Sequence, residues 1–243
     1  MNNVEVIEEN EINRLERLEE LGLTEEKINE NKKSITKVDA EKADELGKKL
    51  VSKIGSKDYN EDKELDDIIK LIKDGANLNY LSNNHNSALL LCARKGYLET
   101  FITLLKFGAD INQHNDRLTT PLMSAARHGE KEILSIAILV GADINARCFD
   151  GDTALMSAKR HGQTLCYLEL IRANAIISVK NHLNQTCRAI QNMDGEENIE
   201  DEEFYAEEEY IPYKDIASQV LSEALDDARM SLHELTINYN LHK

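Results

Sequence analysis

The stretch Gly108-Ala109-Asp110-Ile111-Asn112, followed by Thr120-Pro121-Leu122 and then Gly129, decides the fold, because each of these three marks recurs at one fixed spacing. Gly75-Ala76-Asn77-Leu78-Asn79 precedes the first mark by 33 positions, and Gly141-Ala142-Asp143-Ile144-Asn145 follows it by 33. Ser87-Ala88-Leu89 and Thr153-Ala154-Leu155 flank the second at the same distance, with a decayed Thr186-Cys187-Arg188 one period further on. Gly96, Gly162 and Gly195 keep step with Gly129. Such a period marks one supersecondary unit that buries its apolar face only by stacking on copies of itself.

Each mark has a physical reason. Ser or Thr caps a helix by accepting from an orphan N–H, and Pro121 at the next position needs no donor and has its φ already set, so these positions open a first helix. The mid-repeat glycines let the chain leave that helix through a left-handed residue and begin a second one at once. Gly75, Gly108 and Gly141 end the second helix in the same way. Asn174 holds that place one period later, and Asn also tolerates the left-handed region. Asn79, Asn112 and Asn145 fall in the turn that follows, where a side-chain amide holds a turn by bonding nearby backbone.

The pattern resembles the ankyrin repeat in its period and in its Thr-Pro-Leu opening. The resemblance covers about residues 46–193, best in 82–114, 115–147 and 148–180, with degenerate first and last copies. Met123 and Met156 stand where that family has a His. It implies an all-α solenoid of stacked helix-turn-helix units with short hairpin-like loops, extended by N- and C-terminal helices. Atypical end copies suit a stack whose terminal units must face water.

Outside the repeats, residues 1–45 read as an arm. Ile12, Leu15, Leu18 and Leu21 recur every third position before Gly22, and Thr24-Glu25-Glu26 reads as a cap with an acidic first turn. Two readings stay open for the arm: a helical hairpin shielding the first repeat, or a mobile segment with marginal helices. Residues 194–212 form an acidic segment. In 213–243, Ile216, Val220, Leu221, Ala224, Leu225, Ala228, Leu232 and Leu235 share one helical face. That helix is expected to cap the last repeat, with dimerisation through the same stripe as the alternative.

Charge separates these parts. Residues 1–62 carry 11 basic and 17 acidic side chains, residues 63–193 carry 15 and 13, and residues 194–243 carry 3 and 15. The acidic tails repel polyanions, so nucleic acid is not an expected partner. Membrane association is not expected either, because no apolar stretch approaches the roughly 20 residues of a bilayer span. The N-terminus lacks the basic and apolar regions of an export signal, and four irregularly spaced Cys suit a reducing compartment, so a cytoplasmic location is expected. Asn and Lys richness suits an AT-rich genome, and the resemblance adds delivery into a host cell should the source be an intracellular bacterium.

No catalytic motif is present: there is no Gly-rich phosphate loop, His-Glu-x-x-His, Cys-x-x-Cys or Gly-x-Ser-x-Gly. Cys92 and Cys166 fall at buried helical positions, while Cys148 falls at a hairpin tip as an exposed thiol. His85, His114 and His182 fall in separate hairpin regions, at least roughly 8–10 Å apart in a stack and too far to share a zinc ion. The chain is therefore expected to be non-enzymatic, with no cofactor and no metal.

Two surfaces recur with the period. Arg94-Lys95, Arg127-His128 and Arg160-His161 end successive first helices and form a basic ladder, suited to an acidic partner or to the chain's own segment 194–209. Lys73, Lys106 and Arg172 end the second helices in a polar row that Leu139 interrupts, beside Phe107 and Val140. This apolar island calls for a flanking helix or a partner.

Ankyrin proteins bind partners through hairpin tips and the inner helix face. Matching positions are Asn83, Asn84 and Asn86; Asp116, Arg117 and Thr119; Phe149, Asp150 and Asp152; and the ladder residues Arg94, Lys95, Arg127, His128, Arg160 and His161. Phe149 is the expected anchor, because an aromatic at a loop tip has no core to fill. The expected function is a non-catalytic scaffold that binds another protein. The alternative is a regulator or inhibitor of a toxin or enzyme whose basic cleft the acidic tail occupies.

Overall fold

The computed structural model of the chain describes residues 13–190, which fall within one compact unit. The acidic segment, the C-terminal helix, its capping or dimer role and the self-contact with 194–209 lie outside the described residues.

Ser87, Thr120 and Thr153 each accept from the backbone N–H three residues on, and so start α4 (Ala88–Lys95), α6 (Pro121–His128) and α8 (Ala154–Arg160). The chain then turns, in left-handed conformation at Gly96, Gly129 and Gly162, into α5 (Leu98–Lys106), α7 (Lys131–Val140) and α9 (Thr164–Arg172). Gly75, Gly108, Gly141 and Asn174 follow the second helices with φ of 99°, 88°, 102° and 62°. Both families of left-handed positions stand where the spacing places them.

The stack opens with α2 (Ala40–Gly55) and α3 (Glu61–Lys73). Asp39 caps α2 by accepting from Lys42 N–H, which replaces the missing Thr-Pro-Leu opening. The boundary expected at 45/46 falls inside this helix. Gly47 lets α2 close on the following turn: a Cβ there would stand 2.6 Å from the Asn77 carbonyl oxygen and 2.7 Å from Tyr80 Cβ. The described part of the stack closes with a short 3-10 turn, Cys187–Ala189, in the position of a first helix.

An inner layer of α2, α4, α6 and α8 packs against an outer layer of α3, α5, α7 and α9. Small residues line the inner layer: Ala88, Ala93, Ala125, Ala126, Ala154 and Ala158 are buried, so the helices approach closely. Phe101, Leu104, Ile133, Leu134 and Leu170 fill the space between the layers. Among the described residues there is no strand, and no helix is long and apolar enough to cross a membrane.

Repeats are tied by hydrogen bonds as well as by packing. Asn79 Oδ1 accepts from Asp110 N–H at 3.0 Å, Asn112 Oδ1 from Asp143 N–H at 2.9 Å, and Asn145 Oδ1 from Ile176 N–H at 2.8 Å. This corrects the local role expected of these amides. The local turn is held by residues two positions earlier, Asn77, Asp110 and Asp143, whose side chains accept from the N–H of Asn79, Asn112 and Asn145.

Over the described residues the N-terminal arm is folded, and it reaches the first repeat at Lys73 and Gly75 as well as the repeats that follow. Residues 13–20 are helical, Gly22 turns the chain at φ 68°, and α1 (Glu25–Lys33) follows. Thr24 stands at the N-cap of α1 without a side-chain bond, and Glu25 and Glu26 occupy its first turn. Leu18 and Leu21 pack on the core while Leu15 stays exposed; Ile12 lies outside the described residues. The arm runs back across three successive second helices. Thr36 N–H donates to the Lys73 carbonyl, Asn31 Nδ2 to the Lys106 carbonyl and Arg14 Nε to the Leu139 carbonyl. It covers the apolar island: Phe107 is buried and Val140 half-buried.

Candidate binding face

The hairpin tips carry a further periodic mark. Ser82, Asn115, Cys148 and Asn181 each donate N–H to the carbonyl four residues on, and accept at their own carbonyl from the N–H of His85, Leu118, Gly151 and Asn184. Those last four residues share a left-handed backbone, with φ of 55°, 55°, 79° and 60°. No residue type links them, so the pattern is invisible as spelling. Asn115 Oδ1 accepts from the N–H groups of Arg117 and Thr119, and Asn181 Oδ1 accepts from those of Leu183 and Gln185. These side-chain cradles hold the tips without the family's His. Met123 and Met156, in its place, are buried.

Adjacent tips are also joined. Phe149 N–H donates to the Arg117 carbonyl at 2.8 Å, and His182 N–H to the Asp150 carbonyl at 3.0 Å. Arg117 pairs with Asp150 across one repeat at 3.2 Å, and His85 Nδ1 lies 2.9 Å from Asp116. Arg147 bonds the carbonyls of Gly151 and Lys180.

Between the tips and the inner helices runs a groove of about 530 Å³, built from four successive repeats. Of the expected binding residues it gathers Asn86, Arg94, Arg117, Thr119, Arg127, His128, Phe149, Asp150, Asp152, Arg160 and His161. Asn83 and Asn84 line a smaller adjoining groove with Lys48 and Tyr80, which shares Asn86 and Arg94 with the first. Lys95 and Asp116 line neither. The sequence reading missed Leu90, Asn115, Met123, Ser124, Cys148, Ser157, Asn181, His182 and Leu183 in the main groove. Asn115, Cys148 and Asn181 share one repeat position, which was the available signal. Cys148, expected as an exposed thiol, is half-buried here.

The neighbours of each cation resolve the basic ladder into two kinds. Lys95 Nζ donates to the carbonyls of Ile54, Gly55 and Ser56, which leave the C-terminus of α2, and stands 5.4 Å from the Tyr97 ring. Arg160 binds Asp152 at 2.7 Å, and the other Asp152 oxygen accepts from Asn181 Nδ2. Both of these cations are engaged in holding the fold. Arg94 and Arg127 are exposed and carry no ion pair among the described residues. Arg127 Nε donates to His161 Nε2 at 3.1 Å, so the ring proton of His161 sits on Nδ1 and is donated to the Ser157 carbonyl. His128 makes the same bond one turn back, to the Ser124 carbonyl.

Exposed apolar side chains gather at the tips. Leu118, Phe149 and Leu183 are 42%, 66% and 74% exposed and belong to three consecutive tips. Burial pushes the thiol of Cys92 well up and that of Cys166 up to about 11, which disfavours the thiolate in both. Among the described residues no group of His, Cys, Asp or Glu side chains is arranged to hold a metal ion.

Residues 89–181 match the family model for ankyrin repeats, in three copies. No curated protein matches the chain.

Proposed function

We propose that the chain, whose residues 89–181 match the ankyrin-repeat model, acts as a non-catalytic scaffold whose inner helices and hairpin tips bind another protein. Ankyrin repeats generally mediate protein–protein interaction, which makes this the leading class. The observation that carries the reading here is the groove: four repeats, the last three joined tip to tip by backbone bonds and the first by the His85–Asp116 contact, line one continuous depression edged by exposed apolar side chains. A surface fixed in advance loses little entropy on binding, and four repeats offer about 800 Å² to a partner, the usual size of a specific interface.

The test is a pull-down with the full chain against a variant combining Phe149→Ala and Arg127→Glu. Both side chains are exposed, so the fold should persist while the partner is lost. Unchanged capture of every partner would remove this face from the account. The second reading, an inhibitor acting through its acidic tail, rests on the charge of residues 194–243. Deleting 194–212 separates the two: scaffold binding survives the deletion and inhibition does not.

A further inference from the structure

We propose that the occupant of this groove is an acidic, apolar-studded segment of a partner protein, whose carboxylates lie over Arg94 and Arg127 and whose apolar side chains seat on Leu118, Phe149 and Leu183. The proposal rests on the binding face described above and specifies its chemistry.

Charge complementarity is the first argument. Three carboxylates of this face are already engaged, Asp150 and Asp152 in ion pairs with Arg117 and Arg160 and Asp116 in a contact with His85 Nδ1. Arg94 and Arg127 are left over, one on each of two adjacent inner helices, and Lys48 continues the line into the adjoining groove. None of the three has an ion pair among the described residues. Inner helices stack about 10 Å apart, a distance that three residues of extended chain span. Carboxylates about three residues apart therefore meet successive cations.

The second argument is the backbone of Leu118. Its φ of 55° is the left-handed region, which disfavours a side chain of this kind. The three equivalent tips use His85, Gly151 and Asn184, all of them residue types that tolerate it better. Leu118 is nonetheless exposed beside Phe149, whose N–H bonds the carbonyl of Arg117, the residue before Leu118. A leucine that fills no core and strains the backbone has a use at the surface, as an apolar contact for a partner. A nucleic acid fits less well, because it offers these three apolar tips nothing along its phosphates and the chain as a whole is strongly acidic.

The experiment selects a random 16-residue peptide library, displayed on phage, on the full chain at low salt. Selected peptides are then measured as fluorescein conjugates. The expected winners are rich in Asp and Glu at short spacing and in large apolar residues, and they bind about tenfold or more weakly to Arg94→Glu/Arg127→Glu and to Leu118→Asn. Thermal unfolding of both variants must match or exceed wild type, which reports that the fold is intact. Replacing the acids of a winner by Lys should restore binding to the charge-reversed variant and abolish it on wild type. Winners that need Phe149 but carry no acidic excess would overturn this inference and leave the binding face standing. Winners indifferent to all of these substitutions would count against the face itself. A labelled 20-nucleotide oligothymidylate that binds wild type and loses Arg94→Glu/Arg127→Glu would assign the cations to nucleic acid and also overturn the proposal.

Discussion

Asn112 Oδ1 accepts the backbone N–H of Asp143, the residue that begins the equivalent turn one repeat later, at 2.9 Å. The bond recurs from Asn79 to Asp110 and from Asn145 to Ile176, so the amide ladder is part of what joins repeat to repeat. Asn112→Ala leaves a backbone N–H without its partner and should cost about 1–2 kcal/mol, read as a lower urea midpoint. Asn112→Asp keeps an acceptor and should lose less. Equal losses in the two variants would show that the bond contributes nothing.

The N-terminal arm ties three second helices that are not otherwise adjacent to it along the chain. Leu23 is 4% exposed at its turn, and Arg14 and Asn31 donate to the carbonyls of Leu139 and Lys106. Leu23→Ala should destabilise by about 2–3 kcal/mol, as for other buried leucines. Truncation before residue 34 should expose Phe107 and lower the melting temperature further. A truncated chain as stable as the full one would show that the arm merely rests on the stack.

What could be read from the sequence divides along the range of the interaction. Thr120, Pro121 and Gly129 act on their own helix ends, so their residue types alone locate α6 and the turn after it. The arm's position depends on Arg14 meeting a carbonyl 125 positions away, which no local pattern encodes. The left-handed tips escaped for another reason: His85, Leu118, Gly151 and Asn184 share a dihedral angle and no chemistry. The binding face was half legible. The period brings its residues to one side, but only neighbours show that Arg160 is engaged by Asp152 and Lys95 by the end of α2, while Arg94 and Arg127 remain exposed.

Adjacent residues Arg94 and Lys95 should therefore behave oppositely. Lys95→Ala removes the donor to three carbonyls at the C-terminus of α2 and should cost about 1 kcal/mol of stability with little effect on a bound partner. Arg94→Ala should leave the unfolding midpoint unchanged and weaken the partner. Thermal melts and binding isotherms on the two variants test the division. A pair with matching losses in both assays would contradict it.

Alkaline conditions should loosen the first repeats. Tyr59 is buried, its hydroxyl 2.8 Å from Thr100 Oγ1, and burial raises its pKa from 10.0 to about 12. A phenol whose folded pKa lies above its unfolded value keeps its full contribution below pH 10 and loses it as pH rises towards 12. The loss amounts to about 2 kcal/mol across that window. Cys92, raised by burial and by Glu61, shifts stability in the same direction. Urea unfolding between pH 8 and 11.5 should show the decline, and Tyr59→Phe should flatten part of it. An unchanged slope in that variant would exclude Tyr59 as a source.

Gly47 and Leu118 test opposite sides of backbone economy. At Gly47 an added side chain meets the Asn77 carbonyl and Tyr80, so Gly47→Val should cost about 2–3 kcal/mol through overpacking between α2 and the first turn. At Leu118 the native side chain is the strained partner, and Leu118→Asn supplies a residue better suited to φ 55°. That variant should gain about 1 kcal/mol, since a left-handed backbone costs a leucine roughly that much and the side chain fills no core. Differential scanning calorimetry of both variants measures the two effects. A Leu118→Asn chain that melts below wild type would show that the leucine stabilises its own tip, and would remove strain from the reasons to assign it to a partner.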